Sequence, residues 1–523
     1  MTASIGPAAL RGMIGAGGEL ALVDVREELI FSQRHLLLAR SIPLSRLELK
    51  FAQLVPRRST RVVICDDNDG LAERAAAILM RNGYPDTFVL KGGVDAWVAA
   101  GFEVFSGVNV PSKAFGEYIE HANGTPNISA NELETLIRDK ADIVVLDSRP
   151  FDEYSRVSIP TGINVPGAEL VLRAREIATS PETMVVVNCA GRTRSIIGAQ
   201  SLINAGLPNK VVALRNGTMG YSLAGFACDS GKNQRAPDVS AKTLDWAKQA
   251  AQKVAQDCGV ERIDRAKFEA LRQDPQRTHY LFDVRDPGEY AAGHVNGAIS
   301  APGGQLVQAT DQYVGTLGAR IVLVDDAEVR AAMTGSWLRQ MGWKEVFVLV
   351  ASGTEAGWPK PPILDGGPAS GEAIEAAHLK DLMSRDEVTV VDLSTSRDYL
   401  AGHIPGAWFA IRTRLDRALK KIPLRGALVL TSEDGTLASL AAAEAKVLVD
   451  APVRVLTGGN AAWRATGYPL SKDTRMADEA VDQWRKPYER TGDTKAAMNE
   501  YLAWEIDLLP RIERDGSLKF SHH

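Results

Sequence analysis

The sequence predicts an α/β protein of four tandem domains, each a mainly parallel sheet flanked by helices, followed by a short helical C-terminal tail. Three observations predict it. One pattern occurs four times along 523 residues at spacings of about 109 to 136 residues, which is domain length and too long for a solenoid repeat. Each occurrence opens on a β-branched run ending in Asp: Leu-Val-Asp24-Val-Arg, Val-Leu-Asp147-Ser-Arg, Leu-Phe-Asp283-Val-Arg and Val-Val-Asp392-Leu-Ser. Within each, short apolar runs alternate with stretches of helical spacing, and that alternation calls for crossover connections and parallel strands.

The elements follow in the same order in every unit. About 40 residues after the first strand comes a second, expected at 62–65, 185–189, 321–324 and 428–431, and each precedes an Ala-rich helix such as 72–80 or 438–447. A third strand then leads to a Gly-containing turn and an aromatic residue. These are Leu90-Lys-Gly-Gly before Trp97, Leu214-Arg-Asn-Gly before Tyr221, Leu349 and Gly353 before Trp358, and Leu456-Thr-Gly-Gly before Trp463. Gly, Pro and polar residues mark junctions at 106–126, 229–239 and 359–370, which places the domains at 1–108, 109–232, 233–362 and 363–475. Residues 241–255 have helical apolar spacing, and 476–523 reads as a charged helical tail with a frayed end and no recognisable chemistry.

Composition narrows the function. Apolar residues make up 45%, enough for several cores, and a formal charge of −5 points to no polyanionic partner such as nucleic acid. The first residues carry no basic start or continuous apolar run. No later stretch approaches the roughly 18 uninterrupted apolar residues of a membrane span, so a cytoplasmic protein without a membrane partner is expected. The four cysteines, at 65, 189, 228 and 258, form neither a disulfide framework nor a CxxC pair. His294 and His403 lie in separate units with no neighbouring Cys or His, so neither metal nor cofactor is expected.

The chemistry concentrates at 184–195, Met-Val-Val-Val-Asn-Cys-Ala-Gly-Arg-Thr-Arg-Ser. An apolar strand gives way at Cys189 to a small cationic loop and then a helix. Such a loop turns several backbone N–H groups and the positive end of a helix dipole toward one point. With Arg192 and Arg194 added, that point favours a thiolate beside an anion cradle. Gly191 is expected to let the backbone curl around the sulfur, and Ser195 to cap the helix or donate to the sulfur. Asp147, Asp283 and Asp392, one per domain at a strand end, read as turn-stabilising carboxylates. Cys228 and Cys258 match no active loop.

These motifs resemble the rhodanese homology domain, here as a tandem four-domain protein. The resemblance rests on Asp283-Val-Arg-Asp-Pro-Gly-Glu289-Tyr290 with Gly293-His294-Val-Asn-Gly-Ala298, on Asp392 with Gly402-His403-Ile-Pro-Gly-Ala407, and on the Gly-Gly to Trp endings. It covers the chain except the tail. In that family a cysteine heading a six-residue loop carries sulfur as a persulfide. The resemblance therefore implies catalysis by Cys189, with Ala190, Gly191, Arg192, Thr193, Arg194 and Ser195 holding the substrate. Related phosphatases place five residues between Cys and Arg; here Arg194 follows after four and Ser195 stands at the phosphatase arginine position, which favours sulfur transfer.

The implied reaction moves sulfane sulfur from thiosulfate to cyanide or a thiol. Its partners are a small anionic donor and a thiophilic acceptor, which extends to a protein acceptor. Alternatives are 3-mercaptopyruvate as donor, or a persulfide carrier or scaffold loaded by a protein. The other units are expected to be silent. Cys65 stands among Asp66, Asp67 and Asp69, carboxylates that oppose a thiolate, whereas the third and fourth units offer Val324 and Thr431 instead of a thiol. In two-domain members of the family the second domain is the active one, so units one and two, and units three and four, are expected to form pairs.

Overall fold

A computed structural model describes residues 3–366 and 371–523. Four five-stranded sheets share one strand order: the first strand lies at an edge, beside the fifth, then the fourth, second and third. Neighbouring strands within every sheet run parallel. The central strands are buried on both faces, which explains their unbroken Val, Ile and Leu runs: Val185, Val186 and Val187 are fully buried, as are Val62, Val63 and Ile64. The domain boundaries set from the sequence fall between these sheets, and part of the last junction, 367–370, lies outside the described residues.

Five helices position the site: α1 (Val110–Asn123), α2 (Thr193–Asn204), α3 (Ala241–Asp257), α4 (Val329–Gln340) and α5 (Thr494–Asp515). The first corrects the sequence reading. Residues 106–126 look like a linker, yet 14 of them form α1, with Pro111 in its first turn and Val110, Ala114, Phe115 and Ile119 on its buried face. The helix α3 behaves as its spacing predicts; Ser240 caps it, and Ala247, Ala251 and Val254 are buried.

The domains do not pair in chain order. The second and third share one hydrophobic core, in which Leu170, Ala199 and Leu202 meet Leu306, Met333 and Trp337, with α3 packed between them. Every residue of α4 except Arg339 is buried, the mark of a helix covered on all sides. Trp337 Nε1 donates to Ser201 Oγ across the interface at 2.9 Å. Close approach needs Gly303 and Gly304: a Cβ on Gly303 would meet Ala168 Cβ at 2.9 Å, and one on Gly304 would meet the Gly167 nitrogen at 3.0 Å.

The first domain instead meets the fourth. Arg412 donates to both Glu48 oxygens at 2.8 and 2.9 Å, all buried, and Arg46 donates to the Leu393 carbonyl at 3.2 Å. It also touches the third domain, where Arg40 Nε donates to the Val314 carbonyl at 2.9 Å. Linkers long enough to carry helices release the units from chain order, and apolar faces decide the partners. Among the described residues no helix is long and apolar enough to cross a membrane.

Trp337→Ala should remove about 3 to 5 kcal/mol from the unfolding free energy of the joined second and third domains. Denaturant titration checks this. A loss below about 1 kcal/mol would mean that the shared core contributes little.

Candidate active site

The Asp with which each repeat opens in the sequence ends the second strand of its sheet, an edge strand preceding it, and marks the sheet end on which the loops sit. Asp147 accepts from Arg149 Nε at 2.9 Å, from Arg149 Nη2 at 2.6 Å, and from Asn188 Nδ2 at 3.1 Å on the neighbouring strand. Asp283 and Arg285 repeat the pair, while Asp392 uses Ser394 and Asn460. These carboxylates are buried ties between strand end and loop, as expected of turn-stabilising groups.

Register aligns the four copies residue by residue at the start of the loop. Asp147 is paired with Asn188, whereas Asp24 is paired with Cys65, Asp283 with Val324 and Asp392 with Thr431. Cys65 is therefore the counterpart of Asn188 and lies one residue before the loop, which corrects the sequence reading of its position. Strand alternation turns it into the core. Its thiol donates to the Val23 carbonyl at 3.5 Å, and burial, with Asp24 and Asp66 nearby, pushes it well above the ordinary thiol range. The counterparts of Cys189 are Asp66, Asp325 and Ser432, likewise one residue beyond Cys65, Val324 and Thr431.

Those counterparts reveal the cradle. Asp66 accepts from the N–H groups of Asn68 at 2.9 Å and Ala72 at 3.0 Å. Asp325 accepts from the N–H groups of Ala327, Arg330 and Ala331 at 3.1, 2.8 and 3.3 Å. Ser432 accepts from Ala438 N–H at 3.3 Å. The corresponding N–H groups in the second domain belong to Gly191, Arg194 and Ser195. Two copies thus hold their own carboxylate where the second domain holds a thiol.

Cys189 follows the strand Met184–Asn188 and is 2% exposed. Its thiol donates to Ser195 Oγ at 3.5 Å, and Ser195 Oγ donates to the Arg192 carbonyl at 2.8 Å. Ser195 is thus not the N-cap; that position is Arg192, which makes no side-chain cap. The Cys189 carbonyl accepts from Thr218 N at 2.8 Å and Ala190's from Met219 N at 3.0 Å, tying the loop to the turn after the third long strand. Gly217 sits in that turn at φ +53°, where a Cβ would collide with the Cys189 carbonyl oxygen. Gly191 is not left-handed. Its missing side chain instead leaves room for Met219 and Glu505, whose atoms lie 2.9 and 3.1 Å from where a Cβ would be.

The two loop arginines differ. Arg192 Nε and Nη2 each donate to Glu117 on α1 at 2.7 Å, Nη2 also reaches Glu120, and Nη1 donates to Asn216 at 3.3 Å. Burial raises the Glu117 carboxyl although Arg192 opposes this. The Arg192 guanidinium is thereby committed to the helix behind the loop. Arg194 donates to Glu153 at 3.0 and 3.3 Å and to Gln305 Oε1 of the third domain at 3.1 Å. Lys486 of the tail pairs with the same carboxylate at 2.9 Å. Burial alone would raise Glu153, but Arg194 and Lys486 together hold it well below the usual carboxylate range. Thr193 Oγ1 donates to Glu505 at 3.4 Å.

The loop opens on a cavity of about 240 Å³ whose lining comes from the whole chain: Glu28, Lys113, Gln305, Arg397, Lys486 and Tyr501 join the loop itself. Sequence reasoning missed all six. The tail, in which the sequence shows no recognisable chemistry, lines this cavity with Trp484, Lys486, Pro487 and Tyr488, and α5 then packs on α1 and the first domain. Glu489 joins Arg156 and Arg397 at 3.0 Å each. His294 and His403 stack on Tyr290 and Tyr399, their Nδ1 atoms 2.9 and 2.8 Å from those residues' carbonyls. Cys258 packs in the core shared by the second and third domains.

Comparison with known proteins agrees with this geometry. The model of the rhodanese-like domain matches four times, at 6–100, 129–224, 264–357 and 375–466. The chain belongs to the rhodanese-like domain family. A solved thiosulfate sulfurtransferase from Pseudomonas aeruginosa is 46% identical, with 99% of each rhodanese-like chain covered and a TM-score of 0.96. An HTH-type transcriptional regulator of Mycobacterium tuberculosis is 30% identical over 109 residues, 21% of this chain and 47% of that protein. The uncharacterized protein YqhL of Bacillus subtilis is 38% identical over 76 residues, 14% of this chain and 59% of that protein. The chain thus spans about half the length of these two curated relatives, and both matches are of single-domain size.

Because its folded carboxyl is held low, Glu153 contributes stability in full above its unfolded value of about 4.3, and that contribution falls as pH drops below it. The stability difference between the unsubstituted protein and Glu153→Gln should therefore be largest near neutrality and shrink below about pH 4. Denaturant titrations at the two pH values check the sign.

Proposed function

We propose that this protein is a sulfurtransferase that carries the sulfane sulfur of thiosulfate to a thiophilic acceptor, cyanide or a thiol, as a persulfide on Cys189. One observation carries the reading: the second domain places a thiol where its sister domains hold a carboxylate or hydroxyl against a cluster of backbone N–H groups. An atom at that point is solvated by N–H donors, which suits a sulfur anion before and after transfer. The 46% identical thiosulfate sulfurtransferase, similar over 99% of the chain, supports the donor.

Charge supports it as well. Lys113, Arg192 and Arg397 are each balanced by carboxylates of their own, whereas Arg194 and Lys486 share the single carboxylate of Glu153, so an entering dianion meets net positive charge there. The Cys189 thiolate attacks the outer sulfur of thiosulfate, a sulfur–sulfur bond forms, and sulfite leaves with the electron pair of the bond it breaks. The acceptor then takes the outer sulfur and restores the thiolate. Arg194 and Lys486, sharing one carboxylate, retain net positive charge for the sulfonate oxygens. Arg192 holds the loop to α1. The tail over the cavity favours small donors and acceptors over a docked protein cysteine.

Intact-protein mass after brief exposure to thiosulfate should rise by one sulfur atom and fall back on adding cyanide, with thiocyanate formed. Cys189→Ser should take up no sulfur, whereas Cys65→Ser should take it up as the unsubstituted protein does. Uptake by Cys189→Ser would refute the assignment. Arg194→Ala should lower kcat/KM for thiosulfate by about 10-fold to 100-fold, the worth of a charge-assisted hydrogen bond of roughly 1.5 to 3 kcal/mol.

A further inference from the structure

Behind the cavity, against Gly191 and Thr193 of the loop, lies a carboxylate that the reaction above does not use. Glu505 on α5 is fully buried. Its Oε1 receives Tyr501 OH at 3.0 Å, Lys113 Nζ at 3.1 Å and Thr193 Oγ1 at 3.4 Å, while Oε2 has no hydrogen-bond partner among the described residues. A carboxylate oxygen left empty at zero exposure is costly unless it has work to do. Tyr501 lines the cavity together with Cys189 and Arg194, and its hydroxyl proton is already committed to Glu505. A phenol that donates its proton still has lone pairs with which to accept another. Burial, reinforced by Glu505, keeps the Tyr501 phenol protonated far above neutrality, so it can pass a proton only while receiving one.

We propose that Tyr501 and Glu505 form a proton relay that activates a small thiol acceptor for the second half of the reaction. This rests on the Cys189 persulfide reading and adds the acceptor class, a small molecule bearing a thiol. As the thiol RSH reaches the cavity, its proton passes to the Tyr501 oxygen while the Tyr501 proton passes to Glu505. The thiolate RS⁻ attacks the outer sulfur of Cys189–S–SH. An R–S bond to that sulfur forms, the Sγ–S bond breaks with its electron pair going to Cys189 Sγ, and RSSH leaves. Once RSSH has left, the proton returns from Glu505 through Tyr501 to the water that refills the cavity, so RSH and the persulfide yield RSSH, the Cys189 thiolate and one proton. Tyr501 touches the acceptor; Glu505 acts through it. Cyanide attacks as an anion and needs no such relay.

The test compares acceptors in Glu505→Gln and Tyr501→Phe, both close in shape to the originals. Each protein is first loaded with thiosulfate and its sulfur uptake read by mass. Turnover is then followed with dithiothreitol, read as hydrogen sulfide, and with cyanide, read as thiocyanate. The ratio of thiol-dependent to cyanide-dependent kcat should fall at least 10-fold in both variants. The deficit should narrow as pH rises toward the thiol's own pKa, about 8.5 for a simple thiol, because the acceptor then arrives ionised. The groups facing the relay through this range are Lys113, Glu117 and Arg192 beside Glu505, and Arg194 and Cys189 beside Tyr501. Equal losses with both acceptors, or an unchanged ratio, would overturn the relay and leave a structural role. Absence of sulfur uptake by the unsubstituted protein would overturn the persulfide reading itself, and the mass measurement shows that before any acceptor is added.

Discussion

Everything at the loop end of these sheets depends on a small group of backbone N–H donors where the fourth strand in chain order turns into a helix. Buried donors left unsatisfied cost about 1 to 3 kcal/mol each, so the first loop residue must supply an acceptor. Three domains supply it from their own side chains, as Asp66, Asp325 and Ser432, and their loops are thereby filled and closed. In the second domain Cys189 occupies the place, and a thiol is a weak partner for N–H groups. The framework is the same; what differs between the copies is which atom the framework holds.

The surrounding cations show a second constraint, that positive charge near a buried thiol must itself be stabilised. Arg192 is balanced by Glu117 and Glu120 from α1, and Arg194 and Lys486 divide one carboxylate, Glu153. Neither arrangement exists within the catalytic loop alone. α1 comes from the junction between the first two domains, Gln305 from the third, Arg397 from the fourth and Lys486 from the tail. The other three domains accordingly supply walls and counter-charges to the cavity of the second, and burial of the domains against one another, through Arg412 with Glu48 and Trp337 with Ser201, keeps those walls in place.

Much of this was legible in the chain. The four-fold pattern, the strand and helix alternation and the loop at 189–195 follow from β-branched runs, Gly turns and the position of one cysteine. The equivalence of Cys65 and Asn188 was legible too: each stands 41 residues after its paired Asp. Counting that interval, instead of matching cysteine to cysteine, exposes the register. Other features leave no local signal. Glu117 and Glu120 lie in a Pro- and Gly-flanked stretch that reads as linker until α1 finds its buried face. The pairing of the second domain with the third depends on Gly303 and Gly304 meeting Gly167 and Ala168, a contact between residues more than a hundred positions apart. Lys486 and Glu505 are ordinary charges in a charged tail until α5 docks.

That docking also sets an order of events in synthesis. Leu508 and Ile512 of α5 are fully buried in the core of the first domain, beside Trp97, Phe105 and Val110. They leave the ribosome about 400 residues after those neighbours, a delay of roughly 20 to 80 s at 5 to 20 residues per second. Through that interval part of the first domain's apolar surface has no cover, and the second domain carries its thiol without the wall that Tyr501 and Lys486 later provide. The growing chain is therefore exposed to aggregation and to oxidation at Cys189 until α5 is made and docks, which ends both hazards at once.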